Sequence, residues 1–362
     1  MQVRIATFTV QKRFALTISR GTTAQTTNIW VEIEHEGIQG WGEASPFSIG
    51  EAPQTTEVIA RSLQKFVPLL KSLSPLEGQR IERLMLDARL PSAARAALDV
   101  ALHDWVGKRT NLPLWQLWGL ECDRIPPTSV TIGISTPEAA QQRVKDWLGK
   151  GDTAVPFHGI QSLKIKLGSP LGIEADQAML LAIKETAPHI SQISVDANGG
   201  WSLAEALQMA DWLADQGVNY LEQPLAKGQE GDLPELYARS PLPIFVDESC
   251  FTSYDILPLA DRVHGINIKL MKSGGLTEAL RMIHTAKACG LKVMFGCYSD
   301  SALLNTALSH LSPLADYIDL DSHLNLVNDP FAGASFQNGR IVPTDQPGLG
   351  VHRYLDETKV AT

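Results

Sequence analysis

The chain has 362 residues, of which 44% are hydrophobic and 20% charged, with a net charge of −9. That is too apolar for a disordered chain, and an acidic chain without a basic run makes a poor nucleic-acid partner. No apolar run reaches the ~18 residues of a membrane helix.

Residues 2–10 alternate loosely and are rich in β-branched types, as are Asn28 to His35, and Gly40-Trp41-Gly42-Glu43 follows a Glu36-Gly37 turn. Three antiparallel strands are expected here. Between the first two, Gln11 to Gln25 is polar and reads as a long loop, a lid over about 11–25. Thr55 to Leu73, Gly78 to Asp87 and Ser92 to Gly107 have helical patterns, the last with Ala93, Ala97, Ala101 and Trp105 on one stripe. This α+β domain is expected to span 1–120.

Thr128 to Ile134 reads as the first strand of a second unit. Five short apolar runs follow, and each ends in a charge: Lys166, Asp196, Glu222, Asp247 and Lys269. The gaps are 30, 26, 25 and 22 residues, each room for one strand, one helix and two loops. Lys292 to Gly296 and Tyr317 to Asp321 complete eight strands. Such alternation predicts a parallel sheet closed into a barrel over 121–322, whose C-terminal strand ends share one face. Residues 323–362 lack helical periodicity and are expected to return across the first domain. The N-terminus has no apolar signal region, and the four cysteines form no C-x-x-C pair. Reduced thiols in a cytoplasmic protein are the expectation.

Asp196, Glu222 and Asp247 are three hard oxygen donors on consecutive strand ends, a set that suits Mg²⁺. Turn residues follow each of them, among them Asn198 and Glu248. Lys164 and Lys166 lie two apart and face the same way. Two such ammonium groups should lower each other's pKa and favour a neutral amine. Lys269 ends a strand four places round from Lys166. One amine on each face of a bound carbon is a geometry for removing a proton and returning it from the other side, with the metal stabilising the enolate of a carboxylate substrate.

These residues resemble the enolase superfamily, in its muconate-lactonising branch, over nearly the whole chain. Lys164-Ile165-Lys166 is similar to the branch's K-x-K strand. Asp196-Ala197-Asn198, Leu221-Glu222-Gln223-Pro224 and Val246-Asp247-Glu248-Ser249 are similar to its metal motifs, and Ile268-Lys269 to its second base strand. The resemblance implies a modified (β/α)7β barrel under an α+β capping domain. It also implies one Mg²⁺ per subunit on Asp196, Glu222 and Asp247, with Mn²⁺ as an alternative ion and Asn198 and Glu248 behind the ligands. Lys166 and Lys269 would be the acid/base pair, with Lys164 tuning Lys166 and polarising the substrate carboxylate.

The branch includes muconate cycloisomerases, o-succinylbenzoate synthases, N-acylamino-acid racemases and dipeptide epimerases. Asp319-Leu320-Asp321 resembles the motif with which dipeptide epimerases hold an α-ammonium, so dipeptide epimerisation is favoured. Arg20, with Arg13 as a second candidate, is placed to meet a glutamate side chain, which favours L-Ala-D/L-Glu; other dipeptides share the scaffold. The chain departs from the branch after the seventh strand, where Tyr298 and Asp300 replace the more usual Met and Glu. Tyr298 would narrow the pocket at the N-terminal residue, with Cys297 beside it as a packing thiol. The expected partner is a small dipeptide, with no nucleic acid or membrane; assembly into a homo-oligomer stays open.

Overall fold

The computed structural model describes residues 1–49, 53–151 and 157–354. Three antiparallel strands open the chain, β1 (Gln2–Ile18), β2 (Gly21–His35) and β3 (Ile38–Ala44). The stretch from Gln11 to Gln25, expected as a loop, is instead the far end of this hairpin. β1 and β2 stay paired out to Ile18↔Gly21, with one register shift between Gln11 and Leu16. Its threonines explain the difference. Branched side chains favour extended backbone, and the hydroxyls pair across the strands at Thr9–Thr27 (3.0 Å) and Thr17–Thr22 (2.9 Å). Only Ser19 and Arg20 are left to make the turn.

Helices α1 (Thr56–Phe66), α2 (Gly78–Asp87) and α3 (Ser92–Thr110) cover one face of this sheet. The alanine stripe of α3 is buried, and β3 lies so close that a Cβ at Gly40 or Gly42 would run into the Ala101 or Ala97 carbonyl. Asn111, in the left-handed conformation at φ 58°, ends α3.

Eight parallel strands follow: β4 (Ser129–Ile132), β5 (Ser162–Lys166), β6 (Gln192–Asp196), β7 (Leu221–Glu222), β8 (Ile244–Val246), β9 (Gly265–Ile268), β10 (Lys292–Phe295) and β11 (Tyr317–Ile318). They pair in sequence order, and a bridge from Thr128 to Ile318 closes the ring. Helices such as Leu203–Asp215 surround it. Ser202 and Glu205 cap that helix reciprocally, and Ala206, Met209, Ala210 and Leu213 bury its inner stripe.

Alternation along the strands layers the interior. Tyr220, Phe245, Met294 and Tyr317 form an aromatic plug at the N-terminal end, with Tyr220 and Tyr317 4.7 Å apart across the barrel. Gly265 leaves room for the Phe245 ring. The next inward residues, two further along each strand, are Glu222, Asp247, Asp319 and their neighbours, so the same alternation that builds the plug presents the charged groups above it.

Beyond the barrel the chain returns to the first sheet. β12 (Phe331–Ala332) brings Phe331 against Phe8, Trp30 and Trp41 at 5.4, 6.2 and 6.2 Å. Asn325 Oδ1 accepts from Phe14 N, and Asn328 Oδ1 accepts from Gln11 N. Residues 355–362 of this expected returning segment lie outside the described residues.

Where cap meets barrel, Glu43 is fully buried. Its Oε1 accepts from Asn28 Nδ2 (2.7 Å) and Ser301 N (3.0 Å), and its Oε2 pairs closely with the Ser301 hydroxyl. Asp300 pairs with the Ser45 hydroxyl beside it. Burial, with the charges of Asp300 and Asp329 adding to it, pushes the Glu43 carboxyl up to about 8. A carboxyl whose pKa is raised on folding contributes stability at low pH that is lost as pH climbs through the folded value. Glu43→Gln should therefore flatten the decline of the thermal midpoint between about pH 4.5 and 8, where the unfolded carboxyl ionises while the folded one keeps its proton. An equally steep decline in the variant would show that Glu43 does not carry it.

Candidate metal and acid–base site

Asp196, Glu222 and Asp247 end β6 and β7 and follow β8. All three are buried, and one oxygen from each lies within 4.8 Å of the others. Each of the three residues has a keeper, on the carboxylate of Asp196 and Glu222 and on the backbone of Asp247. Asn198 donates to Asp196 through its backbone N (2.8 Å to Oδ1) and its Nδ2 (3.1 Å to Oδ2). Asn267 Nδ2 donates to Glu222 Oε1 at 2.7 Å. The Asp247 backbone N donates to Gln223 Oε1 at 2.8 Å. Asn198 and Gln223 hold φ of 44° and 36°, left-handed turns that let the chain double back under the ligands.

The amines interleave with these acids. Lys166 Nζ donates to Asp196 Oδ2 at 2.5 Å, and Lys269 Nζ to Asp247 Oδ2 at 2.6 Å. Lys164 Nζ is enclosed, 2.6 Å from Glu222 and 2.8 Å from Asp319. The expectation that Lys164 and Lys166 lower one another is overturned for Lys164. Burial alone would lower its ammonium, but Asp319, Glu222 and Asp196 reverse this and raise it well above its ordinary value. Nor does Lys164 line the cavity, whereas Lys166 and Lys269 both do.

Crowding of like charge shows in the acids as well. Burial and the neighbouring Asp196 charge raise Glu222 to about 7, while burial of Asp247 is outweighed by Lys269 and Lys272, which hold it well below the carboxylate range. Glu222 Oε2 and Asp247 Oδ1 accept no hydrogen bond, although an ammonium lies 2.6 Å from each. Three buried carboxylates converging with acceptor oxygens left over fit a hard divalent cation.

Above them opens a cavity of about 720 Å³. Arg20, Lys166, Asn198, Lys269, Cys297 and Tyr298 line it, so the structure brings most of the sequence-predicted residues together. Arg20, at the hairpin tip, is already engaged: Nη1 donates to Asn198 O and Nη2 to Glu248 Oε1, both at 2.7 Å. Ser19 Oγ donates to the same Asn198 carbonyl at 3.0 Å. Asp319 and Asp321 both turn toward Thr131. Asp321 Oδ2 accepts from Thr131 N at 2.6 Å, and Asp319 Oδ1 from Ser129 Oγ at 3.0 Å. The Cys297 Sγ donates to Asp319 O, and burial beside Asp321 and Asp319 pushes this thiol far up, which makes it inert.

Sequence reasoning missed Lys272. Its Nζ donates to the carbonyls of Asp247 (2.5 Å), Cys250 (2.9 Å) and Asn267 (2.9 Å), three acceptors for three N–H groups. The Asp247 Oδ1 lies 2.6 Å from the same ammonium. Asn267 was missed too, its one available signal being a polar side chain two residues before a charged strand end, whereas Gln223 was read as part of the second metal motif without its hold on Asp247 N.

Residues 1–119 match the family model described as mandelate racemase / muconate lactonizing enzyme, N-terminal domain, and residues 151–357 match the enolase C-terminal domain-like model. The chain is 46% identical over 353 residues to a hydrophobic dipeptide epimerase of Flavobacteria bacterium (strain MS024-2A), covering 96% of this chain and 97% of that one. It is 37% identical over 355 residues to an L-Ala-D/L-Glu epimerase of Bacteroides thetaiotaomicron, covering 97% and 88%. Among solved structures, the dipeptide epimerase of Enterococcus faecalis V583 complexed with Mg and L-Leu-L-Tyr superposes with a TM-score of 0.87. That protein is 31% identical, and the match covers 97% of this chain and 98% of that one.

Proposed function

The chain belongs to the mandelate racemase / muconate lactonizing enzyme family, and from that premise we propose that it is a Mg²⁺-dependent dipeptide epimerase. The observation that carries the reading is the pair of cavity-lining amines, Lys166 and Lys269, on opposite sides of one buried carboxylate trio. Asp196, Glu222 and Asp247 would hold the cation. When bound, it would supply positive charge to the substrate carboxylate as the α-proton leaves. One lysine, as a neutral amine, takes the α-proton onto Nζ; the other, as an ammonium, returns a proton to the opposite face of the carbon. The first then ends charged and the second neutral, so turnover in the opposite direction restores the pair, and a second turnover in the same direction follows once the two amines have exchanged protons with solvent. Asp319 and Asp321 provide negative charge on the side of β4, where the substrate's α-ammonium is expected. Lys164, enclosed below, offsets the acids rather than touching substrate. The four free thiols fit a reducing, cytoplasmic setting.

Among dipeptides, the structure favours an apolar side chain at the epimerised residue over glutamate. Arg20, which would pair a glutamate, is spent on Glu248 and Asn198, while Leu16, Ile18, Pro46, Phe47 and Tyr298 wall the cavity. The protein should be incubated with Mg²⁺ and a dipeptide panel in D₂O and read by mass spectrometry. Ala-Leu and Ala-Phe should gain one mass unit faster than Ala-Glu. Faster labelling of Ala-Glu would restore Arg20 as a specificity residue, and labelling of no dipeptide would refute the reaction.

A further inference from the structure

Lys269 differs from Lys166 in one respect. Among the described residues Lys166 faces no aromatic ring, whereas Lys269 Nζ lies 4.7 Å from the centroid of the Tyr298 ring. That ring is not free to turn. It stacks on Phe47 with centroids 4.9 Å apart and planes 14° apart, and Phe47 in turn lies 6.4 Å from Phe251. Phe47 belongs to the cap, Tyr298 to the segment after β10, and both line the cavity.

We infer that Tyr298 is a positioning residue for the second base: its ring face, backed by Phe47, keeps the Lys269 amine aimed into the cavity. The inference rests on the two-amine reaction proposed above. Among the described residues the Lys269 Nζ makes a single hydrogen bond, to Asp247 Oδ2, and Asp247 is a carboxylate assigned to the cation. An amine that must exchange a proton with carbon needs an N–H, or a lone pair, directed at that carbon. A carboxylate partner competes for it. A ring face attracts the charge through its quadrupole without fixing one N–H direction, so it holds the side chain and leaves the reacting direction open. The Tyr298 hydroxyl is buried without a partner, so it is the face of the ring and not its hydroxyl that touches the base. Because Phe47 comes from the cap, seating of the cap on the barrel is part of aiming Lys269.

Two variants separate ring from hydroxyl. Y298F keeps the face; Y298L removes it. First, the wild-type enzyme with K166A and K269A assigns which epimer loses its α-proton to which lysine, by deuterium uptake in D₂O. Y298L should then lower the ratio of Lys269-dependent to Lys166-dependent exchange on the order of tenfold, whatever it does to substrate binding, and Y298F should keep the wild-type ratio. Equal slowing of both epimers would make Tyr298 a general wall residue and overturn the inference. So would an unaffected Y298L, or a Y298F as impaired as Y298L. A second measurement does not need turnover. In protein with ¹³C-labelled lysine, the ring current should move the Lys269 ε-CH₂ proton resonances upfield of those of Lys166, in wild type and Y298F and not in Y298L. Absence of that shift in wild type refutes the positioning role, whereas its presence with no dipeptide exchanged would leave Tyr298 holding Lys269 and refute the reaction instead.

Discussion

Lys269→Ala should lower interconversion of the two epimers by about 10²–10⁴-fold, while one epimer continues to exchange its α-proton with D₂O. The asymmetry follows from the barrel. Lys166 on β5 and Lys269 after β9 stand four strands apart in an eight-stranded ring, so each addresses one face of a carbon held between them. Removing one leaves the other able to take a proton and return it to the face it came from. Lys166→Ala should give the mirror result, with exchange confined to the opposite epimer. Following each epimer by proton NMR reads both rates in one experiment. Undiminished interconversion in either variant, or loss of exchange from both epimers in each, would dispose of the two-amine scheme.

Lys272→Met should be the most destabilising single substitution of a lysine in the site, at about 3–5 kcal/mol. The side chain is 1% exposed, and its ammonium satisfies three buried carbonyls while standing 2.6 Å from Asp247 Oδ1. Methionine fills the volume but takes the donor from all three carbonyls, of which, among the described residues, only Asp247 O keeps another, Cys250 N, and leaves the Asp247 charge without its fixed partner. Lys292→Met, at an exposed position, provides the comparison and should shift stability by less than about 0.5 kcal/mol. Urea unfolding of both variants measures the difference. A small loss at Lys272 would mean that water or a rearranged main chain satisfies the three carbonyls. Lys272→Arg should not rescue the loss, since a planar guanidinium does not match three carbonyls gathered around one nitrogen.

Much of the site was legible because parallel barrel strands advertise their inner ends. A run such as Ile244-Phe245-Val246 followed by Asp247 is apolar on both faces until the chain leaves the sheet, and the abrupt charge marks the place. Asp196, Glu222 and Lys269 stand out for the same reason. Lys272 does not, because a lysine in Leu270-Met271-Lys272-Ser273 looks like any lysine on a helix surface. Its burial depends on carbonyls from β9 and from the loop after β8, which no local pattern reveals. Glu43 is similar: its partner Ser301 lies 258 positions away, so a buried carboxyl beside Gly42 reads as a strand-end acid. The hairpin was misread for a different cause. Its β2 side, Gly21 to Gln25, is exposed on both faces, and the alternation on its β1 side buries a lysine, Lys12, beside Phe14, so the apolar pattern by which a half-buried strand is recognised is broken. Its only mark was the density of threonine. Arg20 was found by sequence and its contacts were not, because Asn198 O and Glu248 come from other loops of the barrel.

The seat of Phe331 on Phe8, Trp30 and Trp41 bears on how the chain is made. The first sheet leaves the ribosome early, with its indoles uncovered, and stays so while the entire barrel is translated. Hydrophobic surface of that kind is what chaperones capture and what seeds aggregation when synthesis stalls. A product truncated just short of Phe331 would retain every metal ligand and both amines, yet leave the cap's aromatic face bare to water.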